Sequence, residues 1–157
     1  MKVDDNRQVI SRLYASFAAH DGAAMAGLYR SDAVFSDPVF GELNGAQVGD
    51  MWQMLLSAAD DLTVQAGTID ADDSGGTARW TADYSYGSAR RPVHNEVLAR
   101  FEIDAGLIAT HHDTFSFPSW AGQALGLPGR LFGWTPFLKR SVRAKVRSQL
   151  QRYSARS

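Results

Sequence analysis

The sequence predicts an α+β fold in which helices come first and a curved antiparallel sheet follows. Two observations carry this. Up to about residue 59 the apolar side chains recur at helical spacing. From Asp61 onward the period shortens to two, as in half-buried strands. Turn signals divide the alternating part at Asp72-Asp73-Ser74-Gly75-Gly76, at Gly87 to Arg91 and at Asp104-Ala105-Gly106.

Val9, Ile10, Leu13, Tyr14 and Phe17 form one helical stripe, so a helix is expected over 5–19, ending near His20-Asp21-Gly22. A short helix over 23–29 precedes Ser31-Asp32. A strand pair over 33–37 and 39–43 follows, bent at Asp37-Pro38, because proline favours extended backbone at the residue before it. Asn44-Gly45 opens a third helix over 46–59 with Val48, Met51, Trp52 and Leu55 on one stripe. Leu62, Val64, Ala66 and Thr68 then share one strand face, and Trp80, Ala82, Tyr84 and Tyr86 share the same face of the next strand. Asn95, Val97, Ala99 and Phe101 do so on a third, and Leu107 to Phe117 is the last long strand. Beyond it, 120–125 reads as a short helix broken by Gly126-Leu127-Pro128-Gly129. Thr135-Pro136 is a helix start, with Thr as N-cap and Pro at the first helical position. Leu138, Val142, Val146, Gln149 or Leu150, and Tyr153 make the stripe of that last helix.

The 157 residues suit one domain, and the 45% apolar fraction suffices for a core. Without cysteine there is no disulfide and no thiolate chemistry. The acidic, polar N-terminus is unlike a secretory signal, and no apolar run approaches the roughly 20 residues of a membrane span, so a cytoplasmic location is expected. The net charge of −1 conceals an asymmetry. Residues 1–113 hold eight basic and all seventeen acidic residues, −9, whereas 114–157 carry +8. A basic tail lying over its own acidic domain, or over that of a dimer mate, accounts for this. An anionic membrane surface is the alternative, and Leu131, Phe132, Trp134 and Phe137 would strengthen insertion. Nucleic acid is not expected, since the rest of the chain is acidic and would repel phosphates.

Asp37 stands in the apolar run Ala33 to Phe40 and shares a strand face with Phe35. A carboxylate turned inward is costly unless it is hydrogen-bonded, and otherwise its pKa rises. Asp37 therefore either bonds backbone N–H groups at the Pro38 bend or is kept for chemistry. His111 and Asp113 are two apart and share a face, with Phe115 beyond. Such a pair can orient the imidazole for acid–base work, or belong to a polar network with Asn95. His112 faces the other way. His111, Asp113 and Asp37 could also be drawn as metal ligands, but same-strand pairs two apart are common, and no metal is assigned. Phe17, Phe35, Phe40, Trp52, Trp80, Tyr84, Phe101, Phe115 and Trp120 fall mostly on inward positions, as core or as the wall of a small-molecule pocket.

Three features make the chain resemble the nuclear transport factor 2-like superfamily, in particular its SnoaL-like branch. They are the opening helix ending in Ala18-Ala19-His20-Asp21, the Phe35-Ser36-Asp37-Pro38 strand, and the long hairpins ending Gly106-Leu107-Ile108. The resemblance implies a cone-shaped α+β roll, with the sheet wrapped around the N-terminal helices and enclosing an apolar pocket. Residues 1–117 would form the cone domain and 118–157 an extra helical extension packed on it. It also implies a homodimer through the outer sheet face, and either isomerase or cyclase chemistry without a cofactor or a non-catalytic binding or interaction module. Asp37 matches the general-base aspartate of ketosteroid isomerase in motif context, a system used as a standard illustration of tuned carboxylates. Its oxyanion partners do not carry over: Leu13 falls where the helical Tyr would lie and Val97 near the protonated Asp. Asp113 matches the acid–base aspartate of polyketide cyclases. The Asp–Arg–Asp set of epoxide hydrolases is incomplete, since Arg100 should face away from Asn95 and Val97. The candidate catalytic groups are thus Asp37, His111 and Asp113. The candidate ligand contacts are Tyr14, Phe17, Phe35, Phe40, Trp52, Trp80, Tyr84, Asn95, Val97, Phe115 and Trp120, with Tyr14, Tyr84 or Asn95 polarising a carbonyl of a hydrophobic small molecule.

Overall fold

The computed structural model describes residues 1–156. Helix α1 (Lys2–Ala18) is followed by α2 (Gly22–Ala26), β1 (Tyr29–Asp37), β2 (Gly41–Asn44) and α3 (Ala46–Ala58). Four long strands come next: β3 (Thr63–Ala71), β4 (Gly75–Tyr86), β5 (Arg91–Asp104) and β6 (Leu107–Thr114). Helices α4 (Phe117–Leu125), α5 (Leu127–Phe132) and α6 (Pro136–Arg156) complete the chain. The strands form one curved, unclosed sheet in the order β2-β1-β6-β5-β4-β3. All neighbours are antiparallel except β1 and β6, which run parallel and bring Phe35 beside His111.

The helices close the concave side. The α1 stripe is buried from Val9 to Phe17 and packs on β3 and β4. Asn6, also buried, donates to Asp72 O at 3.0 Å and ties the helix start to the β3–β4 turn. Asp21 caps α2 by accepting from Ala24 N. Ile10, Leu13, Met25, Phe35, Leu43, Val48, Met51 and Ile108 form the fully buried centre between these helices and the sheet. The β3–β4 turn needs a residue without Cβ: at Gly75, with φ of 157°, a Cβ would stand 2.1 Å from Phe101 O.

Three local expectations before β4 are corrected. The second helix stops at Ala26, and Tyr29 begins a strand, because Leu28 O accepts from Ile108 N and draws this stretch onto β6. The strand expected over 39–43 starts only at Gly41, since Asp37 accepts two backbone N–H groups and holds 38–40 in a turn. On edge strand β3 the register shifts between Ala66 and Ile69. Inward phase passes from Val64 to Ile69 and Ala71, and Ala66 and Thr68 are exposed.

The C-terminal helices lie against the cone. Ser116 caps α4, and Thr135 Oγ1 accepts from Leu138 N at the start of α6. The chain breaks at Gly126 alone, and Leu127–Phe132 is helical rather than open. Val142, Val146 and Leu150 are the buried side of α6. Arg143 donates to Pro38 O and Val39 O, Arg147 donates to Phe40 O and Glu42 O, and Ser154 donates to Asp50. The basic helix is thus a brace across the β1–β2 corner.

Candidate functional site

The concave side of the sheet is not filled. A cavity of about 620 Å³ remains between Phe17 of α1, the C-terminal half of α3, the inward faces of β4 and β5, Trp120 of α4 and the middle of α6. Its wall is largely apolar: Phe17, Trp52, Leu55, Leu62, Val97, Phe115 and Val146 contribute. The polar groups reaching it include Asp37, Tyr84, Asn95, Asp113, Lys145 and Gln149. An apolar hollow with a few converging polar groups is the usual form of a small-molecule site.

Phe17, Phe40, Trp52, Trp80, Tyr84, Asn95, Val97, Phe115 and Trp120 all line the cavity. Tyr14 and Phe35 do not. Phe35 is fully buried in contact with Trp52 and His111, and Tyr14 packs between Trp80 and Phe101. As ligand contacts these two are set aside. Arg100 is exposed on the outer sheet face, as is His112, which hydrogen-bonds Ser36. Met54, Leu55, Leu62, Lys145, Val146 and Gln149 also line the cavity, and the sequence does not mark them as ligand contacts. The helical stripe marked Leu55 as buried but could not say against what.

Asp37 ends β1 and points inward from the Pro38 turn. Its Oδ1 accepts from Val39 N at 2.8 Å and from Phe40 N at 2.6 Å. Burial in the apolar surroundings nonetheless pushes the carboxyl up to about 7. The neighbouring charge of Asp113 adds to the rise, and the two backbone N–H groups and Arg143 oppose it. Water reaches Asp37 through the cavity, so part of this penalty is screened. At neutral pH the group exchanges between acid and base forms, which suits proton transfer.

Asp113 is held differently. Its Oδ1 lies 2.8 Å from His111 Nε2, and His111 Nδ1 lies 2.8 Å from the Tyr29 hydroxyl, which accepts from Trp52 Nε1 at 3.0 Å. One placement of protons satisfies every member. Trp52 N–H donates to Tyr29, Tyr29 O–H donates to Nδ1, and Nε2–H donates to Asp113. Rings enclose the imidazole: Phe101 at 4.3 Å, Phe35 at 5.0 Å and Trp52 at 6.0 Å between centroids. His111 therefore does not reach the cavity and acts on it only through Asp113. The polar network expected with Asn95 is instead made with Tyr29 and Trp52. The sequence marks Trp52 as an apolar wall residue and puts Tyr29 at a helix end, so neither signals a polar role.

Donors complete the site. The Tyr84 hydroxyl accepts from Trp120 Nε1 at 2.9 Å, and burial pushes its pKa up to about 12, so it keeps a proton to donate. The Asn95 carboxamide has no hydrogen bond among the described residues. The buried Trp80 Nε1 and Tyr14 hydroxyl likewise have none, and Trp80 is in the cavity wall.

A bent, unclosed sheet folded over helices around such a hollow defines an α+β cone of the nuclear transport factor 2-like type. Residues 10–111 match the SnoaL-like domain, and the chain belongs to that family. Solved structures share the fold. One is a hypothetical protein of ketosteroid isomerase-like fold from Catenulispora acidiphila, in complex with trimethylamine. It is 18% identical, with a TM-score of 0.67, over 82% of this chain and 97% of that one. An LEH-like epoxide hydrolase of M. tuberculosis is 16% identical, with a TM-score of 0.66, over 83% and 98% of the two chains. A putative polyketide cyclase of Xanthomonas campestris is 15% identical, with a TM-score of 0.67, over 79% and 99%. At these identities the likeness is one of fold. No curated protein matches the sequence.

Proposed function

We propose that the cavity binds an apolar, carbonyl-bearing small molecule and catalyses proton transfer next to the carbonyl, as a cofactor-independent isomerase or cyclase. The observation that carries this reading is that Asp37 and Asp113, far apart in sequence, line one apolar cavity. In its base form Asp37 removes a proton from the carbon beside the carbonyl. The C–H electron pair becomes the enolate double bond, and charge gathers on oxygen. Tyr84 O–H or Asn95 N–H donates to that oxygen. The new Asp37 acid returns its proton to another carbon, giving an isomer, or the enolate carbon attacks a second carbonyl of the same molecule, closing a ring. In the ring closure the proton held by Asp37 passes to the oxygen so formed, and Asp113, oriented through His111, accepts a hydrogen bond from the new hydroxyl.

A non-catalytic binder is the second reading, because the Asp37 bonds to Val39 and Phe40 give that carboxylate a structural task of its own. Deuterium exchange into β-tetralone separates the two. The wild-type protein is expected to accelerate exchange beside the carbonyl, and Asp37→Asn to reduce that acceleration by ~10²–10⁴. Quenching of the wall tryptophans by the ketone without faster exchange would leave the binder and remove the catalyst. The homodimer through the outer sheet face remains part of the proposal. That face carries Arg79, Asp83, Glu96 and Arg100, exposed and of both signs, which suits a polar, self-complementary contact. Light scattering in solution tests it.

A further inference from the structure

Leu127, Leu131, Phe132, Trp134 and Phe137 are between 53% and 74% exposed, a cluster confined to α5, the turn after it and the first turn of α6. Trp134 stands out among the four tryptophans: Trp52, Trp80 and Trp120 are all at least nine-tenths buried, and Trp134 is 74% exposed. The elbow is nevertheless built. Trp134 Nε1 donates to Leu131 O, Thr135 caps α6, and Gly129 packs so closely on α4 that a Cβ there would stand 1.9 Å from Ala121 O. Backbone packing thus holds the aromatic side chains outward.

The surrounding charge says what covers them. No acidic residue occurs in 114–157, which carry +8. Arg143 and Arg147 are spent on backbone carbonyls of 38–42, whereas Arg130 and Arg140 are exposed beside the apolar cluster. Lys139 lies over the Phe117 ring, 5.8 Å from its centroid. A two-fold contact between copies would set two such uncompensated basic elbows against each other. Anionic headgroups would instead neutralise the arginines while indole and phenyl rings enter the headgroup–acyl boundary. We propose that this elbow docks the protein peripherally on an anionic lipid bilayer. The proposal is independent of what the cavity holds.

The test uses the full chain with phosphatidylcholine vesicles, with and without phosphatidylglycerol. Co-sedimentation is expected to be about tenfold or more stronger with the anionic vesicles and to fall with added salt. Tryptophan emission should shift to the blue on binding, and Trp134→Phe should remove that shift. Trp134→Ser with Phe137→Ser, and separately Arg130→Glu with Arg140→Glu, should abolish pelleting while circular dichroism stays that of the wild type. Wild-type protein remaining in the supernatant with both vesicle types overturns the proposal. So does equal pelleting of the variants, or a dimer that the serine pair converts to monomer while vesicles have no effect, since a second copy then covers the patch.

Discussion

Asp37 and Asp113 face one cavity, but the corner after β1 and the middle of β6 hold them by different means. At the corner the partners are backbone N–H groups two and three residues away, and burial sets the carboxyl near 7. In the sheet the partner is a side chain, itself fixed by Tyr29 and Trp52 from distant elements. A carboxylate satisfied by its own turn needs little else and can remain poised for proton transfer. A carboxylate satisfied through a relay depends on three other side chains, and its orientation is only as good as theirs. The corner therefore supplies titration near neutrality, and the sheet supplies direction.

The largest expected effect lies in chemistry. Asp37→Asn keeps an oxygen for the Val39 and Phe40 N–H groups and loses the base, so the turn should survive while β-tetralone exchange falls by ~10²–10⁴. Equal exchange in wild type and variant would mean that the corner has only its structural task. Next is the relay. His111→Ala leaves the Tyr29 hydroxyl and Asp113 buried without their partner and opens a hole among Phe35, Trp52 and Phe101. Destabilisation of ~3–5 kcal/mol is expected in urea unfolding, far more than from Asp37→Asn. A loss below about 1 kcal/mol would show that water replaces the imidazole and that the relay is loose.

The same contrast explains what could be read from the sequence. Asp37 was legible because its neighbours in the chain are its neighbours in space: an acid in the apolar run 33–40, before proline, has few places to go. The inward faces of β4 and β5 were legible from period two, and most of the cavity wall with them. The relay was not. Tyr29 lies at the seam between α2 and β1, and only the parallel pairing with β6 brings it to His111. The α6 side of the cavity was equally hidden, because Lys145 looks like a solvent-facing position until α6 is laid on the β1–β2 corner. The β3 bulge defeated a simple alternation, since one register shift reverses every later face.

A smaller effect appears in stability against pH. The Asp37 carboxyl titrates near 7 in the fold against an ordinary 3.8, so between these values the unfolded chain gives up a proton that the native state keeps. Native stability from this group is intact below about pH 4, is lost as pH rises toward 7, and stays lost above it. Asp37→Asn has no such loss. Its stability relative to wild type should climb across that window by roughly 1–3 kcal/mol, less than the full shift implies because the cavity admits water. A flat difference from pH 4 to 8 would place the carboxyl in bulk-like solvent.

The smallest effect concerns the brace that joins the corner to α6. The Arg143 guanidinium donates to Pro38 O and Val39 O and opposes the rise of the Asp37 carboxyl. Arg143→Gln keeps a donor and removes the charge, so stability should change by less than about 1 kcal/mol, as for other partly exposed ionic contacts. The informative readout is the Asp37 carboxyl resonance, whose midpoint should move further above its present position near 7. The His111 Nε2–H resonance, reporting the relay, should stay in place because none of the relay's hydrogen bonds is made to α6. If both resonances moved together, the corner and the sheet would be one coupled unit rather than two separately built holders of charge.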